Sequence, residues 1–334
     1  MRRLVSLSLI GFLLTVVPLP LAACDICGCF IGVTPYDNQS GFMLQHRYSL
    51  FSRIDASGQP LVPSGAYRLP ASYNFLHTTN DSAGLQKGDF ESYKTIELKA
   101  KWFIHQRVEV NFFVPFVANK EKMSGELSVA SGLGDPAVWV GYHLLNSTEG
   151  MVRQRLILGA GVKFPLGSSS IKDEDGERLS LYMQPGTGSF DETAYLQYAI
   201  GIRQWGGNVS VTGRNYGTNA YGEQVCPSFT GTMNVFYMFR KNKTVILPEL
   251  QVYAEHTKGV YAEHALMEES EVGLVTAGVG CEMYFGRLGV HFSAQLPVAE
   301  VEYESSPRAT FRGSLGLSWN INQTKFIIHN TKEK

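Results

Sequence analysis

Hydrophobic and polar residues alternate along most of the chain with the period of two that a β-strand gives. Within 152–164, for example, Leu156 and Val162 fall on one face, whereas Arg155 and Lys163 fall on the other. Little of the chain has the period of an amphipathic helix. The pattern predicts twelve strands, at residues 41–54, 90–104, 107–118, 135–145, 152–165, 190–204, 207–217, 227–241, 244–256, 271–285, 288–300 and 308–321.

The connections between these strands alternate in length. The short ones fall at residues 104–107, 146–151, 205–207, 241–244 and 285–288, and the others are longer. Outer-membrane barrels have this arrangement, with short turns in the periplasm and long loops outside. Most of the strands exceed the roughly 5–6 residues of a soluble strand and meet the about 9–11 residues that cross a bilayer. We therefore predict an all-β fold, an antiparallel transmembrane β-barrel of about 12 strands.

Two alternatives to this fold stay open. The segment 120–130 alternates weakly, and we assign it to a long loop, but a further pair of strands would give a 14-stranded barrel. A soluble β-sandwich is the other alternative. Aromatic residues near the predicted strand ends favour the barrel, because membrane barrels carry an aromatic girdle at each interface; they are Trp102, Trp205, Tyr284, Phe285 and Trp319 at one end and Phe116, Phe164 and Tyr216 at the other.

Composition and charge exclude several classes of protein. Charged residues make up 18% of the chain, below the roughly 25% of soluble domains. The net charge of −1 argues against a nucleic-acid partner, since such proteins are usually basic. After residue 23 no apolar run approaches the roughly 20 residues of a spanning helix.

The N-terminus has the pattern of an export signal. Arg2 and Arg3 precede an apolar run at 4–17, so we predict a signal peptide at residues 1–23. Ala23 suits ordinary cleavage, but the residues before Cys24 also fit a lipobox in which this cysteine is lipidated. We then predict a cysteine-rich periplasmic segment at 24–40, the barrel at 41–321 and a tail at 322–334, in the outer membrane of a Gram-negative bacterium.

Cys24, Cys27 and Cys29 form a dense C-x-x-C-x-C cluster. Thiolates at this spacing can reach one soft ion, so copper or zinc is a candidate cofactor. In an exported protein the same thiols can instead form a disulfide. If Cys24 carries lipid, only two thiols remain.

Many charged residues fall on the face that a barrel would turn toward its lumen, because charges are costly on the lipid side. They line a polar path or bind a substrate, or else pair and fill the lumen, and we expect a largely filled or gated lumen. The lumen-facing candidates are Glu97, Lys99, Lys101, Glu109, Arg155, Lys163, Arg203, Arg214, Glu249, Glu255, Glu282, Arg287, Arg308 and Arg312.

Several short motifs support the same fold by resemblance. Residues 131–135 (SGLGD), 159–167 (GAGVKFPLG), 184–191 (QPGTGSFD) and 247–250 (LPEL) resemble, in this order, bacterial outer-membrane transporter barrels related to the phenol-degradation meta-pathway (MetA-type) family. The N-terminal CDICGC resembles the start of a Bacteroidetes-like branch of these proteins. The resemblance implies an outer-membrane barrel that passes small molecules, and it supplies no binding residues.

The first functional hypothesis is therefore a channel or transporter for small molecules, with hydrophobic or aromatic compounds as one option. The alternatives are a metal-handling or redox protein that uses the cysteine cluster, and an outer-membrane enzyme. The sequence lacks the G-x-S-x-G, H-E-x-x-H and P-loop motifs, so we expect no enzyme. The expected partners are outer-membrane lipid, the barrel-assembly machinery and a small-molecule substrate.

Overall fold

The computed structural model describes residues 40–52, 89–123, 125–147, 150–262, 265–266, 272–300 and 308–321. In chain order its strands are β1 (Gly41–Ser52), β2 (Phe90–His105), β3 (Val108–Met123), β4 (Glu126–Leu133), β5 (Ala137–Ser147), β6 (Val152–Lys163), β7 (Asp191–Ile202), β8 (Trp205–Tyr216), β9 (Gln224–Val225), β10 (Ser228–Tyr237), β11 (Phe239–Lys241), β12 (Thr244–Thr257), β13 (Val260–Ala262), β14 (Ala265–Leu266), β15 (Val272–Phe285), β16 (Leu288–Glu300) and β17 (Arg308–Asn320).

Twelve of these strands form a closed antiparallel barrel, which confirms the predicted fold class. The order around the ring is β10, β8, β7, β6, β5, β3, β2, β1, β17, β16, β15 and β12. Pairing of β10 with β12 closes the ring. Strands β9, β13 and β14 form a small separate sheet, and β11 extends the hairpin that leads into β12.

Within the described residues, no helix is long and apolar enough to cross a membrane.

The weakly alternating segment 120–130 is strand, not loop. Its first part extends β3 and its second part lies in β4, which pairs with β3 from Phe116 to Met123. The pair adds no strand to the ring, so the 14-stranded alternative is wrong. The chain leaves β4 at Gly134 and joins β5 after Pro136, whose missing N–H suits a break in the ladder.

Side chains alternate around the barrel between an exposed apolar face and a buried face rich in polar groups. On β1, Phe42 and Leu44 are exposed, whereas Gln45 and Ser49 are buried. The same alternation runs through the other ring strands. The exposed face therefore provides the apolar band that faces lipid, and the buried face lines the lumen.

Most of the predicted girdle aromatics are exposed, including Trp102, Trp205 and Trp319. Tyr216 and Tyr284 are buried instead. The reason is parity, because each lies an even number of residues from a lumen-side charge on its own strand.

Several predictions lie outside the described residues and stay predictions. They are the signal peptide at 1–23, the three N-terminal cysteines, almost all of the segment 24–40, and the tail at 322–334.

Candidate functional site

The connection between β6 and β7, residues 164–190, crosses the mouth of the barrel at the end with the long connections, and we name it the lid. Its Leu181 and Tyr182 are buried in an apolar cluster. The strand residues of this cluster come from distant parts of the ring: Phe51 from β1, Tyr216 from β8 and Val272 from β15, with Val225 and Val260 from the small sheet. Because these strands lie on different sides of the barrel, the lid spans the lumen.

A second apolar cluster holds the lid against β4. Leu179 and Met183 of the lid are buried against Ala130. The amide of Asn119 on β3 donates to the carbonyl oxygen of Met183 at 3.2 Å. The lid is therefore seated by both apolar burial and a hydrogen bond to the lumen wall.

A buried charge cluster anchors both ends of the lid, and we name it the lid anchor. Lys163 Nζ at the end of β6 lies 2.7 Å from Asp135 Oδ2 and 2.6 Å from Asp191 Oδ2. It also bonds to Thr187 Oγ1. Ser189 Oγ donates to Asp191 Oδ1 at 2.7 Å. The cluster joins the break before β5, the end of β6 and the start of β7.

Backbone groups of the lid complete this anchor. The amide of Gly167 donates to Asp135 Oδ1, and the amide of Thr187 donates to Asp135 Oδ2, each at 2.8 Å. A Cβ added at Gly186 would lie 2.6 Å from Asp135 Oδ1, so only glycine fits there. The motifs at 131–135, 159–167 and 184–191 therefore meet in space and build one structure.

The lid is also joined to the connection between β8 and β10. Arg178 Nη1 donates to both carboxylate oxygens of Glu223 at 2.9 Å, and Nε donates to the carbonyl oxygen of Ser169 at 2.8 Å. The guanidinium lies 3.9 Å from the ring centroid of Tyr221. We name this contact the latch.

Just below the lid anchor, three aromatic rings lie side by side on the lumen wall, and we name them the aromatic ladder. The Trp139 ring centroid is 4.9 Å from that of Phe113 and 5.4 Å from that of Tyr195. The three residues belong to β3, β5 and β7. On β6, between Trp139 and Tyr195, the paired residues are glycines: Gly161 pairs with Trp139 and Gly159 pairs with Tyr195.

The glycines let the rings lie flat against the wall. A Cβ at Gly161 would lie 2.0 Å from the Trp139 ring, and one at Gly159 would lie 2.2 Å from the Tyr195 ring. Trp139 Nε1 and the Tyr195 hydroxyl are buried and have no hydrogen-bond partner among the described residues. Buried polar groups usually have one. The ladder therefore offers an apolar surface with two hydrogen-bonding groups.

Charged side chains lower on the same wall pair with neighbouring strands. Glu109 is fully buried, and its Oε2 lies 3.3 Å from Lys101 Nζ and 3.0 Å from His143 Nε2. Glu97 lies 3.5 Å from Arg47 and 3.0 Å from Lys99. Neighbouring strands are about 4.8 Å apart, so these side chains reach each other along the wall more easily than across the lumen.

The opposite wall holds further polar contacts. Arg312 stacks on the Tyr253 ring at 3.8 Å and lies 3.9 Å from Glu255. Glu249 accepts from Gln251 at 2.7 Å. Glu282 accepts from Tyr284 at 2.9 Å and lies 3.5 Å from His291; among the described residues neither Glu249 nor Glu282 has a lysine or arginine partner.

An apolar patch lines the lumen at the short-turn end of this wall. Its side chains are buried together and come from β10, β12, β15 and the residue before β11: Phe236, Met238, Val245, Leu247 and Tyr284. Apolar groups thus occur near the turn end, on the aromatic ladder and under the lid.

Eleven of the fourteen predicted lumen-facing residues lie on the lumen side of a ring strand. Arg155 and Arg214 are buried, and Arg214 donates to Thr193 at 3.2 Å. Arg308 is half-buried at the start of β17, but a bulge in the pairing of β17 with β1 sets it opposite the outward Ser52, so its predicted lumen position is wrong. The placement of Arg203 and Arg287 is wrong. Both are exposed in two-residue turns, and Arg203 has a φ of 55° that belongs to a turn.

The lid anchor and the aromatic ladder contain residues that sequence reasoning missed. The sequence motifs contain Asp135 and Asp191 without indicating a role for them, and alternation alone does not distinguish Trp139 and Tyr195 from other strand residues. Part of the evidence for Trp139 and Tyr195 is in the sequence. Both fall on the face of their strands that carries the charges, and the same face of β6 carries glycines, which leave room for large rings.

The described residues contain no group of three or more His, Cys, Asp or Glu side chains arranged to hold a metal. Cys226 and Cys281 are free thiols. Burial raises the pKa of the Cys226 thiol, against a smaller opposite effect of the Lys258 ammonium. Cys226 lies in the connection before β10, beside the apolar cluster under the lid.

No protein-family profile and no curated protein matches the sequence. An outer-membrane channel from Pseudomonas putida F1 matches the structure with a TM-score of 0.61 at 14% identity, over 87% of this chain and 99% of that chain. The transport unit of the autotransporter AIDA-I from Escherichia coli matches with 0.46 at 9%, over 88% and 95%. The CymD monoaromatic hydrocarbon channel matches with 0.39 at 9%, over 92% and 95%.

At these identities the likeness concerns the fold, and of these three structures the Pseudomonas putida channel has a TM-score above 0.5. The fold is that of the outer-membrane β-barrels of Gram-negative bacteria.

Proposed function

We propose that this protein is an outer-membrane channel for small molecules, and that aromatic compounds carrying a hydrogen-bond acceptor are its preferred solutes. The observation that carries the proposal is the aromatic ladder directly below the lid. The rings of Phe113, Trp139 and Tyr195 lie together on the lumen wall there. Trp139 and Tyr195 are only 2% exposed, so a solute would contact them when the lid moves aside. Flat rings favour stacking with an aromatic solute.

The two polar groups of the ladder that have no hydrogen-bond partner support a preference for solutes that carry a hydrogen-bond acceptor. Trp139 Nε1 and the Tyr195 hydroxyl donate hydrogen bonds, and a hydroxyl or carboxylate oxygen on the solute would accept them. The apolar patch near the turn end supports a route for the aromatic part of the solute on the way to the periplasm. The likeness of the fold to the Pseudomonas putida channel supports the transport role.

Permeation into liposomes tests the proposal. Purified protein is reconstituted, and swelling rates are compared for 4-hydroxybenzoate, which crosses a bilayer slowly when ionised, and for arabinose. We expect faster swelling with the aromatic solute, together with conductance in planar bilayers. Absence of both, for the wild-type protein and for variants with a disrupted lid, would exclude the channel.

Two conservative variants test the ladder itself. Tyr195→Phe and Trp139→Phe each remove one donor and keep an aromatic ring. Since a hydrogen bond contributes about 0.5–1.5 kcal/mol, we expect permeation of 4-hydroxybenzoate to fall about two- to tenfold. Arabinose permeation should stay unchanged. Tyr198→Phe is the matched control, because its hydroxyl donates to Gln154 away from the ladder. Equal effects on both solutes would contradict the acceptor role.

A further inference from the structure

Three lysines lie on the outward, lipid-side face of the barrel near the end with the long connections. Lys94 belongs to β2, and Lys120 and Lys122 belong to β3. Alternation places Lys94 on the same face as Ile96 and Leu98, which are exposed members of the apolar band. The lysines therefore point away from the lumen.

The strand register brings the three side chains together. Lys94 pairs with Ala118 and Ser92 pairs with Lys120, so Lys94 and Lys120 are diagonal neighbours on one face. Diagonal neighbours are about 7–8 Å apart. Lys120 and Lys122 are two residues apart on one strand, which separates them by about 7 Å. Their ammonium groups can reach a common anion.

Within the described strands, no acidic side chain shares the outward face with this cluster on β1 to β4. The outward positions of β1 to β4 hold no aspartate or glutamate. Among the described residues, none of the three lysines forms an ion pair, and the recorded contact of Lys94 is with the Tyr48 ring, at 5.5 Å from the centroid. Like charges this close repel each other. An anion bound between them would relieve the repulsion.

The location of the cluster fits a lipid head group. On the outward face of the twelve ring strands, the other charged side chains in the described part of the chain are Glu192 near the start of β7 and Arg308 at the start of β17, which pairs with the outward Ser52; both lie at the same end of the barrel as the lysines. Charge on this face is costly near the bilayer centre and cheap near its edge. Leu127 and Val129 on β4 are exposed beside Lys122 and Lys120, so acyl chains also find a surface there.

We propose that Lys94, Lys120 and Lys122 bind the phosphate groups of lipid A in the outer leaflet. The proposal needs the outer-membrane location with the long connections outside, and it does not need transport. Lysine ammonium groups bind phosphate as point charges, and a cluster of them gains about 1 kcal/mol per residue near an anionic surface. The apolar residues below and beside the cluster would contact the acyl chains.

Lipid binding by the purified full-length barrel tests the proposal. The variant K94Q/K120Q/K122Q is compared with the wild type and with K241Q/K243Q/R287Q, which removes three exposed charges at the opposite end of the barrel, one at the end of β11 and two in turns. Each protein is titrated in detergent with bisphosphorylated lipid A, with dephosphorylated lipid A of the same acyl chains, and with inorganic phosphate. Native mass spectrometry counts the bound molecules.

We expect the wild type and the control variant to bind bisphosphorylated lipid A at least about tenfold more tightly than the dephosphorylated form. The triple lysine variant should lose this preference. Equal binding of the two lipids by the wild type would overturn the proposal, as would an unchanged preference in the triple variant. Binding of inorganic phosphate alone with the affinity of the lipid would assign the cluster to free phosphate and also overturn it.

A single substitution tests the proposal if the triple variant does not fold. If the triple variant lacks the heat-modifiable electrophoretic mobility of a folded barrel, Lys120→Gln replaces it, because Lys120 is the neighbour of both other lysines. We then expect a severalfold loss of the preference for phosphorylated lipid. No loss in this folded variant would overturn the proposal.

Discussion

Phe51 and Tyr216 belong to the same buried cluster, although their strands, β1 and β8, lie six positions apart in a ring of twelve. Six positions is the greatest separation that such a ring allows. Leu181 and Tyr182 of the lid join the two sides. The mouth of the barrel is therefore bridged by apolar side chains, and the lid anchor and the latch hold this bridge in place.

The bridge predicts the effect of shortening its side chains. Leu181→Ala combined with Tyr182→Ala should raise single-channel conductance, because the lid then loses the apolar contacts that hold it across the mouth of the barrel. Each truncation of a buried side chain costs about 2–5 kcal/mol, so the lid should open more often while the ring stays closed. Planar-bilayer recording measures the conductance. Leu250→Ala on the lipid side is the control, and an unchanged conductance in the lid variant would contradict the bridge.

The lid anchor predicts a stability effect with a specific rescue. Lys163→Met should lower the free energy of unfolding by about 3–5 kcal/mol, because Asp135 and Asp191 would stay buried without their cation. Urea unfolding measures this value. Adding Asp135→Asn and Asp191→Asn should restore most of the lost free energy of unfolding, because no unpaired charge is then buried. Lys243→Met in an exposed turn should have little effect. Failure of the double rescue would show that the anchor acts by packing.

The close packing of the aromatic ladder on β6 predicts that the glycine under the Tyr195 ring cannot be replaced without loss of stability. Gly159→Ala should destabilise the barrel by about 1–3 kcal/mol, because its Cβ would overlap the Tyr195 ring. Gly231→Ala is a matched control on β10, where a Cβ would meet nothing within 4 Å. Replacing Tyr195 with leucine in the Gly159→Ala background should recover stability. Equal loss in both glycine variants would point to strand propensity instead.

The buried thiol beside the lid cluster predicts a pH-dependent labelling rate. In a variant with the other four cysteines replaced by alanine, Cys226 should react slowly with iodoacetamide at pH 7. Burial raises its pKa above the ordinary 9.0, so the thiolate fraction is lowered at each pH. Between pH 9 and pH 10 the rate should therefore rise by a larger factor than in the urea-unfolded control, whose thiol is already about half ionised at pH 9. An equal rise in the folded and unfolded proteins would contradict this.

The latch should control the same labelling rate. Arg178→Ala removes the pair of bonds to Glu223 and the stacking on Tyr221. We expect faster labelling of Cys226 at constant pH, because the connection before β10 loses its link to the lid. Glu174→Ala, at an exposed position of the same lid and away from the latch contacts, is the control. Equal rates in both variants would show that the latch does not limit access.

Alternation predicted the ring strands well, because each one has a lipid face and a lumen face of opposite character. It failed where this contrast is weak. In the segment 120–130, Lys120 and Lys122 take outward positions that are apolar elsewhere, so the strand pattern is blurred. Arg203 and Arg287 continue the alternation of polar and apolar residues one position beyond a strand. Each lies in a turn, where the side chain is exposed and does not face the lumen.

The candidate site was harder to predict than the fold. The lid has no simple period, and its burial depends on strands that are far away in sequence, such as β1 and β15. Asp135, Lys163 and Asp191 stand in three separate motifs, and only the register of β5 to β7 brings them together. The sequence resemblance marked these motifs without showing that they form one cluster.

The composition of the lid cluster has a consequence for how the barrel assembles. Its members include Phe51 from the first strand and Val272 from a strand near the end of the chain, so its contacts are among the longest in sequence that the molecule makes. The lid anchor, in contrast, needs only three consecutive strands of the ring. We therefore expect two kinetic steps in refolding: local docking of the lid ends as β5 to β7 pair, and burial of its centre only when the first and last strands have met. A fluorophore near Tyr182 would then report completion of the ring.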